Sequence, residues 1–190
     1  MVELGTKNFD GASSVQVLQP DAAGTPDTVA FRQPPLLIAE GDGVGQRDGR
    51  SVYIKYWNIK MALSKPSAAD DEMVRCLVFS YAGSEPTVKN LLDGTGGDYF
   101  LALPQKSQHS DFDQPYKVLF DNVYRVANGV SNRVYIDLKF KLRHKCTYTG
   151  SAGNTLERGG LGIYLISDKT GSASSVTGKY HDRVVYSDSV

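Results

Sequence analysis

Apolar positions along this chain recur every second residue far more often than every third or fourth, and that period is the signature of strands. "SVQVLQ" (14–19) alternates cleanly, and "SVYIKYWNIKMAL" (51–63) is a long aromatic and β-branched run. "MVRCLVFSYA" (73–82) is a compact apolar stretch and "YFLAL" (99–103) a short one. "YKVLFDNVYRV" (116–126) carries Asp121-Asn122 at its middle, where a bulge or turn is expected. "RVYIDLKFKLRHKCTY" (133–148) alternates over most of its length, and "LGIYLIS" (161–167) and "RVVYS" (183–187) complete the set. Helical spacing is confined to "TVKNLL" (87–92), about a turn and a half entered through Pro86.

The connecting segments, among them "KPSAADDE", "DGTGGD", "TGSAGNTLERGG" and "SDKTGSASSVTGK", are rich in turn formers and have the length of loops. Eight strands with almost no helix can bury their apolar faces in a sandwich or a barrel. The expected fold is therefore all-β: an eight-stranded antiparallel jelly roll of two four-stranded sheets, one domain over residues 1–190, with 1–13 as an extended N-terminal segment. An immunoglobulin-like sandwich is the competitor, and the missing Cys…Trp…Cys order weighs against it.

Composition adds little until charge is placed on the strands. At 41% hydrophobic and 22% charged residues over a length of 190, the chain is an ordinary globular domain able to bury a core. No apolar run nears the roughly 18 residues of a membrane helix, and no secretory leader is evident, so no membrane partner is expected. Cys76 and Cys146 fall in separate strands and are expected as buried, reduced thiols. The 21 basic and 21 acidic residues cancel, which leaves their distribution as the informative quantity.

In "LKFKLRHKC" (138–146) the period of two sends Leu138, Phe140, Leu142, His144 and Cys146 one way and Lys139, Lys141, Arg143 and Lys145 the other. Four cations at steps of about 7 Å repel one another unless water or an anionic partner screens them. One reading is a solvated face, or an edge guarded by lysines against mispairing. The other is a surface on which each cation neutralises a phosphate and releases a counterion. On a single strand the latter predicts a log–log salt slope of about −3, from roughly 0.7 per contact.

Signatures of catalysis fail on spacing. "GDGVGQ" lacks the third glycine of a dinucleotide fingerprint and precedes a strand, where a phosphate cradle needs a helix N-terminus. "DGVGQRDGR" has no terminal Glu at calcium-loop spacing. His109, His144 and His181 form no H-x-H or H-E-x-x-H pair, and no serine sits in G-x-S-x-G. The Asp70-Asp71 pair lies in a turn. No catalytic residue, metal or cofactor is expected, and the chain is read as a non-enzyme.

Several segments taken in order resemble the capsid proteins of small, circular, replication-initiator-encoding single-stranded DNA viruses of the circovirus-like kind. "GVGQRDGRSVYIKYWNIKMAL" resembles their G-x-x-x-x-R-x-G-R pattern leading into an apolar strand. "VRCLVFSYAGSEPTVKNLL" resembles the next strand and its loop, and "YKVLFDNVYRV" an F-K-V-L-x-D strand. "GLGIYLISD" and the terminal "RVVYSDS" resemble the last two strands. The resemblance runs from about residue 36 onward. It implies a homo-oligomeric shell, icosahedral with T=1 and about 60 copies, around a single-stranded genome, DNA ahead of RNA. It also implies residence in the virion, and in host nucleus or cytoplasm during assembly. Plant satellite virus coats share the fold.

One departure stands out. Members of that family usually begin with an Arg/Lys-rich arm that binds the genome, whereas the first 30 residues here carry one cation, Lys7. Either a basic arm has been removed from this sequence, or packaging relies on strand charges alone; in the second case Lys139, Lys141, Arg143 and Lys145 become the main candidates for genome contact.

Under the same resemblance, the cluster "GDGVGQRDGR" (41–50) is read as a joint between copies. Gly41, Gly43, Gly45 and Gly49 let the backbone turn tightly. Arg47 and Arg50 offer planar forks to a neighbour, and Asp42 and Asp48 are their partners. A flexible loop with weak local ion pairs is the competing reading. Apolar loop residues are further contact candidates: Phe31, Pro34, Pro35, Leu36 and Leu37, then Tyr99, Phe100 and Phe112. Tyr56 and Trp57 are assigned to the core. A jelly-roll lectin, binding carbohydrate on exposed aromatic platforms, is the alternative function.

Overall fold

Alternation decides which face each strand buries, and in the computed structural model it does so along eight antiparallel strands. The structure describes residues 6–16, 38–43, 45–65, 71–82, 91–92, 100–104, 116–127, 133–149, 156–169 and 176–188. The strands are β1 (Lys7–Gln16), β2 (Ser51–Ser64), β3 (Glu72–Tyr81), β4 (Tyr116–Val126), β5 (Arg133–Tyr148), β6 (Leu156–Arg158), β7 (Gly160–Ser167) and β8 (Thr177–Asp188). They form a five-stranded sheet ordered β1-β8-β2-β5-β6 and a three-stranded sheet ordered β4-β3-β7. The chain passes from one sheet to the other after β2, returns at β5, crosses again at β7 and comes back at β8. That winding is a jelly roll.

The expected fold class is borne out, with five and three strands among the described residues where four and four were expected. Residues 100–103 of the expected strand 99–103 are not a strand, and Tyr99 lies outside the described residues. Phe100 and Leu101 form a turn, and the carbonyls of Phe100 and Ala102 accept hydrogen bonds from the Arg75 guanidinium at 2.9 and 2.6 Å. A side chain thus satisfies groups that a neighbouring strand would otherwise take. The five-stranded sheet gains the three-residue β6 at its edge. Its β1 begins at Lys7, within the segment expected to precede the fold, and residues 17–19 lie outside the described residues. β4 runs unbroken through Asp121-Asn122, because Asp121 accepts both Arg75 Nε (2.7 Å) and an Arg75 terminal nitrogen (2.6 Å) from β3. Its irregularity falls instead opposite Val78 and Phe79. The expected helix 87–92 is described only at Leu91, which is helical, and Leu92, which bridges to Pro104.

The core lies between the sheets. Trp57, Ile59, Met61 and Leu63 of β2 pack with Val74, Cys76 and Val78 of β3, Leu161, Ile163 and Leu165 of β7, and Tyr180, Val184 and Tyr186 of β8. Trp57 is fully buried, and its indole N–H donates to Asp182 Oδ2 at 3.0 Å. Both cysteines are free and buried, and burial pushes the Cys76 thiol up to about 12.

Each end of the sandwich is pinned by charge. At one end, Lys65 Nζ donates to Glu72 Oε2 at 2.9 Å and Ser167 Oγ donates to Glu72 Oε1 at 2.6 Å, all three buried. This links β2 to β3 and β7 across the two sheets. At the other end, Lys7 Nζ lies 2.8 Å from both Asp48 and Asp188. Partial burial works against the Lys7 charge, but the hydrogen bonds to both carboxylates outweigh it and hold its pKa above the usual lysine value.

Candidate nucleic-acid interface

The two sheets differ in what covers their outer faces. On the three-stranded sheet, Leu77, Phe79 and Tyr81 point away from the main core. They are buried in a second cluster with Tyr116, Tyr164, Ile166, Leu91, Leu92 and Ala102. Phe79 and Tyr164 stack there at 5.2 Å. The chain's own loop residues close that face. The outer face of the five-stranded sheet stays open, and Lys and Arg are the commonest of its exposed side chains.

Lys139, Lys141, Arg143 and Lys145 are all exposed on β5, while Leu138, Phe140, Leu142 and His144 turn toward the core and Cys146 is buried. No described residue forms an ion pair with any of the four. The pairing register widens the row into a field. Lys139 lies opposite Asn58 of β2, which lies opposite Arg183 of β8, which lies opposite Asp10 of β1. Lys55, Lys60, Lys179 and Arg133 share the face. Two carboxylates answer these charges: Asp137 sits 3.2 Å from Lys60, and Asp10 is held by Arg183 at 2.5 and 2.8 Å. Hydrogen bonding to Arg183 lowers the Asp10 pKa. Lys60 and Arg183 are therefore compensated, whereas the β5 row is not.

A slip in register shapes the middle of this face. Between Ile54 and Tyr56, β2 shifts against both β5 and β8, and Lys55 has no partner in either ladder. Side-chain parity reverses there: Val52 and Ile54 are buried on even numbers, then Trp57, Ile59, Met61 and Leu63 on odd ones. Tyr53 and Tyr56, three apart, would face opposite sides of a regular strand. The bulge turns both outward, at 44% and 43% exposure. Tyr56 thus leaves the core to which the sequence reading assigned it, and Trp57 keeps its place. Lys145 Nζ lies 5.6 Å from the Tyr53 ring centre, within cation–π range. A depression of about 500 Å³ opens at the slip, lined by Tyr53, Lys55, Tyr56, Lys141, Arg143 and Ser187 among others.

The cluster at 41–50 has a different character from the one expected. Arg47 is wholly buried in its own chain: its guanidinium lies 4.0 Å over the Tyr148 ring, donates to the Gly49 carbonyl, and sits 3.5 Å from Glu40. It presents no surface to a neighbouring copy, because Tyr148 and the turn at Gly49 (φ 80°) enclose it. Asp48 is exposed yet paired with Lys7, and its amide donates to Asp188 Oδ1 at 2.9 Å. Arg50 is exposed, 4.0 Å from Glu157, and Asp42 is exposed. Phe100 is half-buried against the second cluster. Leu36, Leu37, Tyr99 and Phe112, with Phe31, Pro34 and Pro35, lie outside the described residues. Leu101 and Leu103, which the sequence reading placed inside a strand, are instead 74% and 76% exposed.

Among the described residues, no group of three or more His, Cys, Asp or Glu is arranged to hold a metal ion, and no helix is long and apolar enough to cross a membrane. No family model matches this chain, and no curated protein does. Among solved structures, one that matches is titled Desmodium yellow mottle tymovirus. It is 12% identical, over 98% of this chain and 88% of that one, with a TM-score of 0.33. At that score the likeness carries no weight for fold or function. What the coordinates define is a jelly roll with one open, cationic sheet face.

Proposed function

We propose that this chain is a viral coat protein, whose copies associate through loop contacts into a closed icosahedral shell with T=1 symmetry. The outer face of the five-stranded sheet then lies inward against single-stranded nucleic acid and binds it without reading sequence. The observation that carries this reading is the row of cations at Lys139, Lys141, Arg143 and Lys145, which have no ion-pair partner among the described residues, on the sheet face that the chain leaves open. A row of like charge costs least where polyanion neutralises it. The segments that resemble circovirus-like capsid proteins supply the prior for a shell and for DNA over RNA. Exposed Leu101 and Leu103, on the far side from the cations, are apolar groups suited to burial between copies. Arg50 and Asp42 remain available for contacts at the other end of the sandwich.

The test is to express the chain, image it by negative stain, and record the 260/280 nm absorbance ratio of any particles. Particles of one size with a raised ratio are the expected outcome. A strictly monomeric species at high concentration and moderate salt overturns the shell. Particles with a protein-like ratio keep the shell and remove packaging. Glycan binding by a monomer transfers the fold to the lectin reading.

A further inference from the structure

From the register slip in β2 we infer a base-stacking site: Tyr53 and Tyr56 form a platform for unpaired nucleobases, while Lys141, Arg143 and Lys145 hold the phosphates of the same strand. This rests on the nucleic-acid reading above and adds a second kind of contact to it. Three observations converge on the same few residues. The bulge at Lys55 is the device that brings both tyrosines to one face, and a regular strand of this sequence would bury one of them or swing Trp57 outward. Each exposed ring then faces a cation across the ladder: Tyr53 opposite Lys145, and Tyr56 opposite Lys141. Arg143 belongs to the stretch of β5 left unpaired between them, beside the depression that the slip opens.

An exposed phenol ring flanked by cations is a good receptor for an aromatic anion. Stacking is tolerant of sequence because every base has a π-face, and neighbouring cations take the backbone charge. The site selects single strands, since a base held in a duplex keeps both faces against its own neighbours. A purely electrostatic face would need no tyrosines and would not distinguish the two forms beyond their charge density.

The experiment compares a labelled oligothymidylate with an abasic oligonucleotide of equal length and charge, by fluorescence anisotropy on the full chain at fixed low salt. The wild type is expected to bind the base-bearing strand at least about fivefold more tightly. The Y53A/Y56A variant is expected to lose that preference while keeping its affinity for the abasic strand, and Y53F/Y56F to retain it. Both tyrosines are half-exposed, and the Phe variant with far-ultraviolet circular dichroism separates stacking from any loss of fold. Equal binding of both strands by the wild type overturns the stacking site and leaves the electrostatic face standing. An undiminished preference in Y53A/Y56A also overturns it. Failure to bind either strand at low salt overturns the site together with the nucleic-acid reading.

Discussion

Replacing Lys139 and Lys141 by Gln tests the cationic row where its geometry makes a numerical forecast. If all four cations of β5 neutralise phosphates on a single strand, the slope of log K against log salt is about −2.8, at roughly 0.7 per contact. Between 50 and 200 mM salt the affinity then falls about fiftyfold. With two contacts removed the slope becomes about −1.4 and the same change of salt costs only about sevenfold. The structure supplies an internal control. Lys60 occupies the same face, yet Asp137 lies 3.2 Å from it and already compensates its charge, so Lys60→Gln should leave the slope nearly unchanged. All these side chains are exposed, so the substitutions do not touch the core. Anisotropy titrations of a labelled single strand at four or more salt concentrations provide the slopes. If K60Q moves the slope as far as K139Q does, or K139Q/K141Q leaves it at the wild-type value, the assignment of contacts to uncompensated cations is wrong.

Three further outcomes concern the fold. Glu72→Gln removes the carboxylate charge that the buried Lys65 ammonium meets at 2.9 Å, and should destabilise the protein by about 3–5 kcal/mol in urea unfolding, whereas exchanging both partners for apolar residues should cost far less. Gly159 has φ 82° and an added Cβ would overlap the Lys145 carbonyl oxygen, so Gly159→Ala should cost about 2 kcal/mol or more and loosen the entry to β7; a thermal midpoint within a degree of wild type would contradict this. Burial holds the His144 pKa below its usual value, against hydrogen bonds to the backbone at Gly159 and Gly160. The unfolded chain therefore takes up the proton first as pH falls, and stability should drop below about pH 6.5 by at most about 1.4 kcal/mol per pH unit. His144→Gln should flatten that stretch of the profile, while the carboxylate-linked loss below about pH 4 remains.

How much of this was readable beforehand depended on whether one strand's period carried the information. The β5 row was legible because the strand alternates over most of its sixteen residues, so the cations and apolar residues of 138–146 separate by number alone. The inward turn of Trp57 was legible for the same reason. The platform at Tyr53 and Tyr56 was missed, although a signal for it exists: the apolar positions of β2 switch from Val52 and Ile54 to Trp57, Ile59, Met61 and Leu63, and such a change of parity marks a bulge. Arg47 was read as surface because Arg seldom lies inside. Its burial depends on Tyr148, a hundred residues away in sequence and beneath the guanidinium only after the sheet has formed. The segment 99–103 has strand composition, but Arg75 claims its carbonyls, and no local pattern announces a tertiary hydrogen bond.

The zero formal charge of the chain conceals a separation that bears on the assembly proposed above. Cations with no carboxylate partner among the described residues gather on one sheet face, whereas described carboxylates are used largely as fasteners: Glu72 with Lys65, Asp121 with Arg75, Asp48 and Asp188 with Lys7, Asp71 with Arg125. Those ion pairs lie within one chain, so they are complete before any copy meets another. A coat protein with a large net positive charge would have to overcome repulsion between copies until genome arrived to screen it. A neutral chain with a polarised surface avoids most of that repulsion, because the far field of each copy is weak while its near field on one face remains cationic. If copies assemble as proposed, shell formation in the absence of nucleic acid should therefore depend only weakly on ionic strength, even where strand binding depends on it steeply. Light scattering of nucleic-acid-free protein across the same salt range separates the two dependences; scattering that appears only when salt or polyanion is added would show that the cationic face, and not the neutral sum, governs how copies meet.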